Sequence, residues 1–219
     1  MVSKLNTVGS STYNRLKNDI IFGTLEPGKK LKLNALRDQY EASLSTLRET
    51  LNRLSSEGFV AAEEQRGFFV TPISKSDLNE VATMRILLEC FALEESIKSG
   101  DADWEGDLVA AHHKLRRVED RMAQGDHSDR ELWKRYDWEF HLALIQACNN
   151  KNLLALHSVL YDKYLRYMIL VVTFRGQEAF DEHRTLFEAA LNRDAALASA
   201  TLQKHVRLSL LQTLDALPD

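Results

Sequence analysis

The stretch LNALRDQYEASLSTLRETLNRLSSEG, running from Leu33 to Gly58, contains two short helical patterns with a very short connection between them. Asn34 can cap a helix whose apolar side chains are Leu36 and Tyr40, and beyond Glu41 and Ala42 the Ser43 hydroxyl can cap a second one. In the second helix Leu47, Leu51 and Leu54 recur at three- and four-residue spacing, which turns them to one side, and Gly58 is the natural stop. Two helices joined this tightly predict a helix-turn-helix.

The flanking sequence extends that reading. Upstream, Tyr13, Leu16 and Ile20 fall at helical spacing with Arg15, Lys17 and Asp19 between them, Gly23 ends the pattern, and Pro27-Gly28 makes a turn. Downstream, residues 59–62 and 68–71 are short apolar runs on either side of a polar loop, residues 63–67, which is the pattern of a β-hairpin. Helix, helix, tight turn, helix, hairpin is the order of a winged helix-turn-helix, whose third helix enters a major groove while the hairpin approaches the neighbouring backbone. Generic three-helix packing gives similar apolar periodicity. The DNA reading therefore leans on the polar donors Arg37, Ser45, Thr46, Arg48, Arg53 and Arg66, with Gly67 at the hairpin tip.

Pro72 closes this head, and the charge changes sign there. Residues 1–72 carry a net +2, whereas residues 73–219 carry −6. The predicted organisation is a DNA-binding domain over 1–72 and a second domain over 73–219. The second part is helical almost throughout, with patterns over roughly 77–99, 103–124, 129–148, 151–173, 176–191 and 194–215. Gly100, Gly125, Asn149-Asn150, Gly176 and residues 192–194 interrupt them, so the fold class is mostly α: a winged head followed by an antiparallel helical bundle.

A length of 219 residues permits one large or two small domains and excludes a complex multidomain enzyme. With 44% hydrophobic and 27% charged residues the chain has the composition of a folded globule rather than a disordered one. The apolar run at residues 168–172 is far shorter than the roughly 20 residues that span a bilayer, and the start lacks the basic-then-apolar layout of a secretory signal. The expectation is a cytoplasmic protein without a membrane partner. Cys90 and Cys148 have no CxxC spacing and read as reduced core thiols.

One polar constellation stands out in the bundle. Asp137 and His141 are four apart, about 40° from alignment on a helix, so the carboxylate and imidazole share a face. His183 and His205 lie on two later helices among apolar residues that should face inward. One carboxylate and three imidazoles suit a divalent ion, zinc first, with nickel, manganese or iron as alternatives. Core histidines satisfied by unrelated hydrogen bonds are the competing reading. A hydrolase could use the same set, but no general base can be assigned, which leaves a metal-dependent enzyme on a small carboxylate as the alternative function. For His112, His113, His127 and His157, solvent-facing side chains are expected in at least two cases. Arg85 sits in the apolar run of the first bundle helix and needs an anionic partner, either an acidic effector or an internal acid, Glu89 or Asp137.

Head and bundle together resemble the GntR family of bacterial transcription regulators, in its FadR-type branch with an all-helical FCD effector domain. The head carries the resemblance in LEPG (25–28), LRDQY (36–40), STLRETL (45–51), LSSEGFV (54–60) and RGFFV (66–70). The bundle carries it in MRILLE (84–89), DWEFHLAL (137–144), Glu182-His183 and Lys204-His205. The resemblance implies a regulator rather than an enzyme. It implies a homodimer whose winged heads bind an inverted repeat in double-stranded DNA, and a bundle that binds a small organic acid. It also implies a metal at Asp137, His141, His183 and His205, and a carboxylate-grasping role for Arg85. The branch is similar to regulators of carbon starvation and glutarate metabolism, which points to a dicarboxylate or related acid, and to a repressor released when the acid binds. The chain departs from the family where the usual VSRTPVR reads ASLSTLR at 42–48: the arginine is Leu44 and the proline is Thr46, while Arg48 remains. That departure should alter the operator read or weaken one backbone contact.

Overall fold

A computed structural model describes residues 8–126, 128, 130–171 and 175–217. The described chain divides into two compact units, one of residues up to Lys75 together with Leu165–Val171, the other of Ser76–Tyr164 and the described residues beyond 171.

The first unit begins with α1 (Val8–Ile21), in which Leu16 and Ile20 are fully buried as their spacing requires. Strand β1 (Lys30–Leu31) follows the Pro27-Gly28 turn, then α2 (Leu33–Tyr40) and α3 (Leu44–Ser56). Ser43 caps α3: its Oγ accepts from the Thr46 backbone N–H at 3.1 Å, a contact worth about 1 kcal/mol. Leu47, Leu51 and Leu54 are buried on the inner face, and Gly58, at φ 81°, takes the left-handed conformation just after the helix. The cap of α2 differs from the expectation. The N-cap is Lys32, whose side chain makes no capping bond, so Asn34 lies inside the first turn.

The hairpin forms from β2 (Val60–Glu63) and β3 (Gly67–Val70), paired antiparallel with Val60 opposite Val70 and Glu63 opposite Gly67. It becomes a three-stranded sheet in the order β1-β3-β2 because Lys30 and Leu31 pair with Phe69 and Phe68. A two-residue strand has no room to show alternation, so the sequence pattern does not reveal it. Within the same unit an Arg166 terminal nitrogen donates to the Thr71 carbonyl at 2.6 Å, a contact between a late helical residue and the end of the wing.

The second unit is built from α4 (Lys75–Ser99), α5 (Ala102–Ala123), α6 (Arg130–Ile145), α7 (Lys151–Val171) up to Tyr164, α8 (Gln177–Leu191) and α9 (Ala195–Ala216). A 3₁₀ turn, Gln146–Cys148, finishes α6. These match the expected helical stretches; residues 129, 172 and 173, and with them His127, lie outside the described residues. Asp101 and Asp194 cap α5 and α9 by accepting from the Trp104 and Leu197 backbone N–H groups, both at 3.0 Å. α4 is apolar on two sides: Leu78, Ala82 and Leu93 are fully buried, yet Met84, Leu87 and Phe91 are largely exposed. Cys90 and Cys148 are buried and free. No helix among the described residues is long and apolar enough to cross a membrane.

Candidate metal centre and nucleic-acid interface

In the bundle, His141 on α6, His183 on α8 and His205 on α9 converge, with one nitrogen of each ring within 4.8 Å of the others. All three are buried. Each ring is turned by a carboxylate from a different helix. His141 Nδ1 lies 3.3 Å from Glu89 Oε2 of α4, His183 Nδ1 lies 2.6 Å from Glu119 Oε1 of α5, and His205 Nδ1 lies 2.9 Å from Glu182 Oε2 of α8. A carboxylate accepting from Nδ1–H favours the neutral tautomer whose Nε2 can take a metal, while terminal nitrogens of Arg85 and Arg175, each 3.2 Å from the Nδ1 of His141 and of His205, compete for those same ring atoms. Among the described residues His141 Nε2 is buried with no hydrogen-bond partner, a cost that a bound cation would remove.

Asp137, the fourth expected ligand, stands at the edge of this cluster. Its Oδ1 is 3.3 Å from His183 Nε2, while its Oδ2 accepts a 2.6 Å hydrogen bond from the Tyr161 hydroxyl. Burial alone would raise the Asp137 carboxyl, but the neighbouring His183 and His141 rings hold it well below the usual range. Burial would likewise depress His183, yet the Glu119 and Asp137 carboxylates outweigh it and push the imidazole up to about 9. His205 is driven the other way, to about 3, chiefly by burial, and His141 is lowered by burial and by the Arg85 charge. Neutral His141 and His205 are the forms that donate to a cation.

Arg85 is buried, and its partner is internal. Its Nε donates to Glu89 Oε1 at 2.7 Å, and its guanidinium lies 4.5 and 4.7 Å from the Tyr161 and Tyr164 ring centres. Glu89 also lies 2.7 Å from His157 Nε2, so His157, among the histidines with a solvent-facing expectation, is fully buried in the same network. His113 is exposed and His112 is half-buried, stacked on Phe187 at 4.0 Å. Arg175 adds a further cation: it pairs with Glu182 and lies 3.2 Å from His205 Nδ1. Spacing within single helices carried no sign of Glu119, His157 or Tyr161, which meet the cluster from other helices, or of Arg175, which lies in the connection before α8.

In the head, Arg48 is exposed on α3 and its side chain makes no ion pair or hydrogen bond among the described residues. The Ser45 and Thr46 hydroxyls sit 2.8 and 2.9 Å from Ser43 Oγ at the α3 start, so the cap engages both. Arg37 pairs with Asp38 at 2.9 Å, and Arg66 pairs with Glu63 at the hairpin turn of residues 64–66; Gly67, expected at the tip, instead opens β3 opposite Glu63. Arg53 is turned back toward α1, 3.7 Å from the Tyr13 ring centre and 3.4 Å from Glu57.

The fold is that of a winged helix-turn-helix joined to an all-helical unit containing a three-histidine cluster. Residues 9–70 match the gntR family of bacterial regulatory proteins, and residues 80–208 match the FCD domain. The chain is 34% identical over 211 residues to the HTH-type transcriptional regulator BphR of Paraburkholderia xenovorans, covering 95% of this chain and 86% of that protein. It is 31% identical over 202 residues to the HTH-type transcriptional repressor GlaR of Escherichia coli, covering 89% and 90%. Among solved structures, E. coli McbR/YncC has the same fold, with a TM-score of 0.80 at 20% identity over 98% of this chain and 99% of that one. The chain therefore belongs to the GntR family of bacterial transcriptional regulators, in the group that carries an FCD domain.

Proposed function

We propose that this regulator is a homodimeric repressor whose winged heads bind an inverted repeat, and whose bundle holds a divalent ion, zinc first, that helps receive a small organic acid. The observation that carries the reading is the convergence of three imidazoles, each oriented by its own carboxylate, in a chain that also bears a winged head. His141, His183 and His205 supply nitrogen donors and Asp137 the oxygen. Nickel, manganese and iron suit the same donors. Once bound, the ion offers an electrophilic site for a carboxylate oxygen. Arg85 spends Nε and one terminal nitrogen on Glu89, so its remaining terminal nitrogen is the group available to a second carboxylate oxygen. The exposed Met84, Leu87 and Phe91 on α4 recur at three- and four-residue spacing and form an apolar stripe suited to a second copy of the chain.

For the acid to release DNA it must bind the DNA-incompatible arrangement of the dimer more tightly than the compatible one, since equal affinity for both shifts nothing. The test is a thermal-shift screen of mono- and dicarboxylates on metal-loaded protein, followed by operator titration with the best hit. The expected result is a raised melting temperature and weakened operator binding at saturating acid. Unchanged operator affinity under a saturating hit would defeat the release mechanism.

Arg48 is the head's clearest candidate for contact with DNA. Arg48→Ala should weaken operator binding by about 1–3 kcal/mol, that is roughly 5- to 150-fold, measured by fluorescence anisotropy. Equal affinity and equal salt dependence for wild type and variant would remove α3 as the recognition helix.

A further inference from the structure

A groove of about 930 Å³ crosses the head between β1 with the start of α2, the start of α3, and the hairpin, and its lining includes Lys30, Lys32, Leu44, Arg48 and Gln65. Its cations differ from three other arginines of the head. Arg37, Arg53 and Arg66 each face a carboxylate neighbour. Lys32 and Arg48 have no ion-pair partner among the described residues, and Lys30 rests its ammonium 5.6 Å from the centre of the Phe69 ring. Leu31 between the two lysines is buried, so Lys30 and Lys32 both face outward, as residues two apart on extended backbone do.

Lys32 is also in an unfavourable place for the helix it precedes. It occupies the N-cap of α2 with extended backbone, φ −83° and ψ 110°, and its side chain caps nothing. Ser, Thr, Asp or Asn would serve there, and a cation opposes the positive end of the helix dipole. Helix stability does not account for this lysine. On the α3 flank the apolar Leu44 lines the groove where the resembled family has an arginine, leaving Arg48 as the α3 cation among the groove's lining residues.

We propose that Lys32, with Lys30 beside it, anchors a DNA phosphate on the β1–α2 flank of this groove and supplies the positive charge that α3 lacks at Leu44. The inference rests on the DNA-binding reading above and assigns to these lysines a positioning contact that carries no base preference.

The test compares wild type, Lys32→Ser, Lys30→Ala with Lys32→Ser, and Arg48→Ala on two probes: a short mixed-sequence duplex and a duplex enriched by the wild-type protein from a random pool. Lys32→Ser should weaken binding to both duplexes equally, by about three- to tenfold, and reduce the slope of log affinity against log salt by about 1, with a further reduction in the double variant. Its melting temperature should equal or exceed that of wild type, because serine is the better cap, so lost binding cannot be ascribed to lost folding. Unchanged affinity and slope in both lysine variants, alongside a loss in Arg48→Ala, would overturn the anchor and leave the DNA reading standing. A loss confined to the enriched duplex would also overturn it, since that marks a base contact. Wild-type protein that bound neither duplex would sink the DNA reading and this inference together.

Discussion

Arg85→Ala is expected to destabilise the helical bundle by about 3–5 kcal/mol, a large fraction of the roughly 5–15 kcal/mol by which a domain of ordinary stability is folded. The guanidinium is 2% exposed and Glu89 is fully buried, so removing the cation strands a carboxylate out of water. Burial opposes ionisation of Glu89, and Arg85 is the leading influence that holds its carboxyl far below the usual range. Glu89 in turn faces the His157 and His141 rings, so its loss of balance reaches one imidazole of the cluster directly. Urea denaturation followed by circular dichroism measures the cost, and a loss below about 1 kcal/mol would contradict the buried-pair account. Arg85→Met combined with Glu89→Gln should recover most of the stability, because two neutral side chains need no mutual compensation. That double variant, with its metal content measured, is the fair background for an effector clamp. In Arg85→Ala alone, lost acid binding would not be separable from lost folding.

Arg85 also marks the limit of what local sequence can tell. An arginine in an apolar helical run must have an anion, and Glu89 four residues on was legible as one of two internal candidates. The tyrosine rings against it come from α7, more than 70 positions away, and no spacing rule connects them. The same division holds across the chain. Leu47, Leu51 and Leu54 are buried where their periodicity puts them, because the burial of one helix face is a local property. His141, His183 and His205 could each be placed on an inward face, which is why their meeting could be anticipated. Glu119 could not be linked to His183, since their contact depends on the packing of α5 against α8. Arg53 has the spacing of an outward donor on α3, but Tyr13 and Glu57 draw it toward α1. Lys32 escaped notice for the opposite reason: it breaks the local rule for a helix cap, and Asn34 two residues later satisfies that rule in sequence.

Replacing His183 and His205 together with alanine should abolish stoichiometric metal retention. One imidazole and the Asp137 carboxylate would remain of the proposed donors, short of the four that zinc takes in closed sites. Elemental analysis of untagged, dialysed protein gives the readout, with circular dichroism confirming that the helices persist; the same ion content in wild type and variant would place the metal elsewhere. Glu119→Gln should act more gently, lowering affinity by about 10- to 100-fold through its hold on His183 Nδ1. Acidity provides an independent check. Burial pulls the metal-free His183 imidazole down, but Glu119 and Asp137 raise it to about 9, so at neutral pH an arriving ion must displace its proton. Apparent affinity should therefore climb about tenfold per pH unit toward 9 and level off above it. The metal-free protein has the opposite sign. A raised imidazole contributes stability that is fully present below the unfolded value near 6.5 and is lost as pH rises through 9. The gain in melting temperature on adding metal should consequently widen between these two values, because the loaded form has no proton on His183 to lose. A gain that stayed flat across that interval would show that the ion does not compete for the His183 nitrogen.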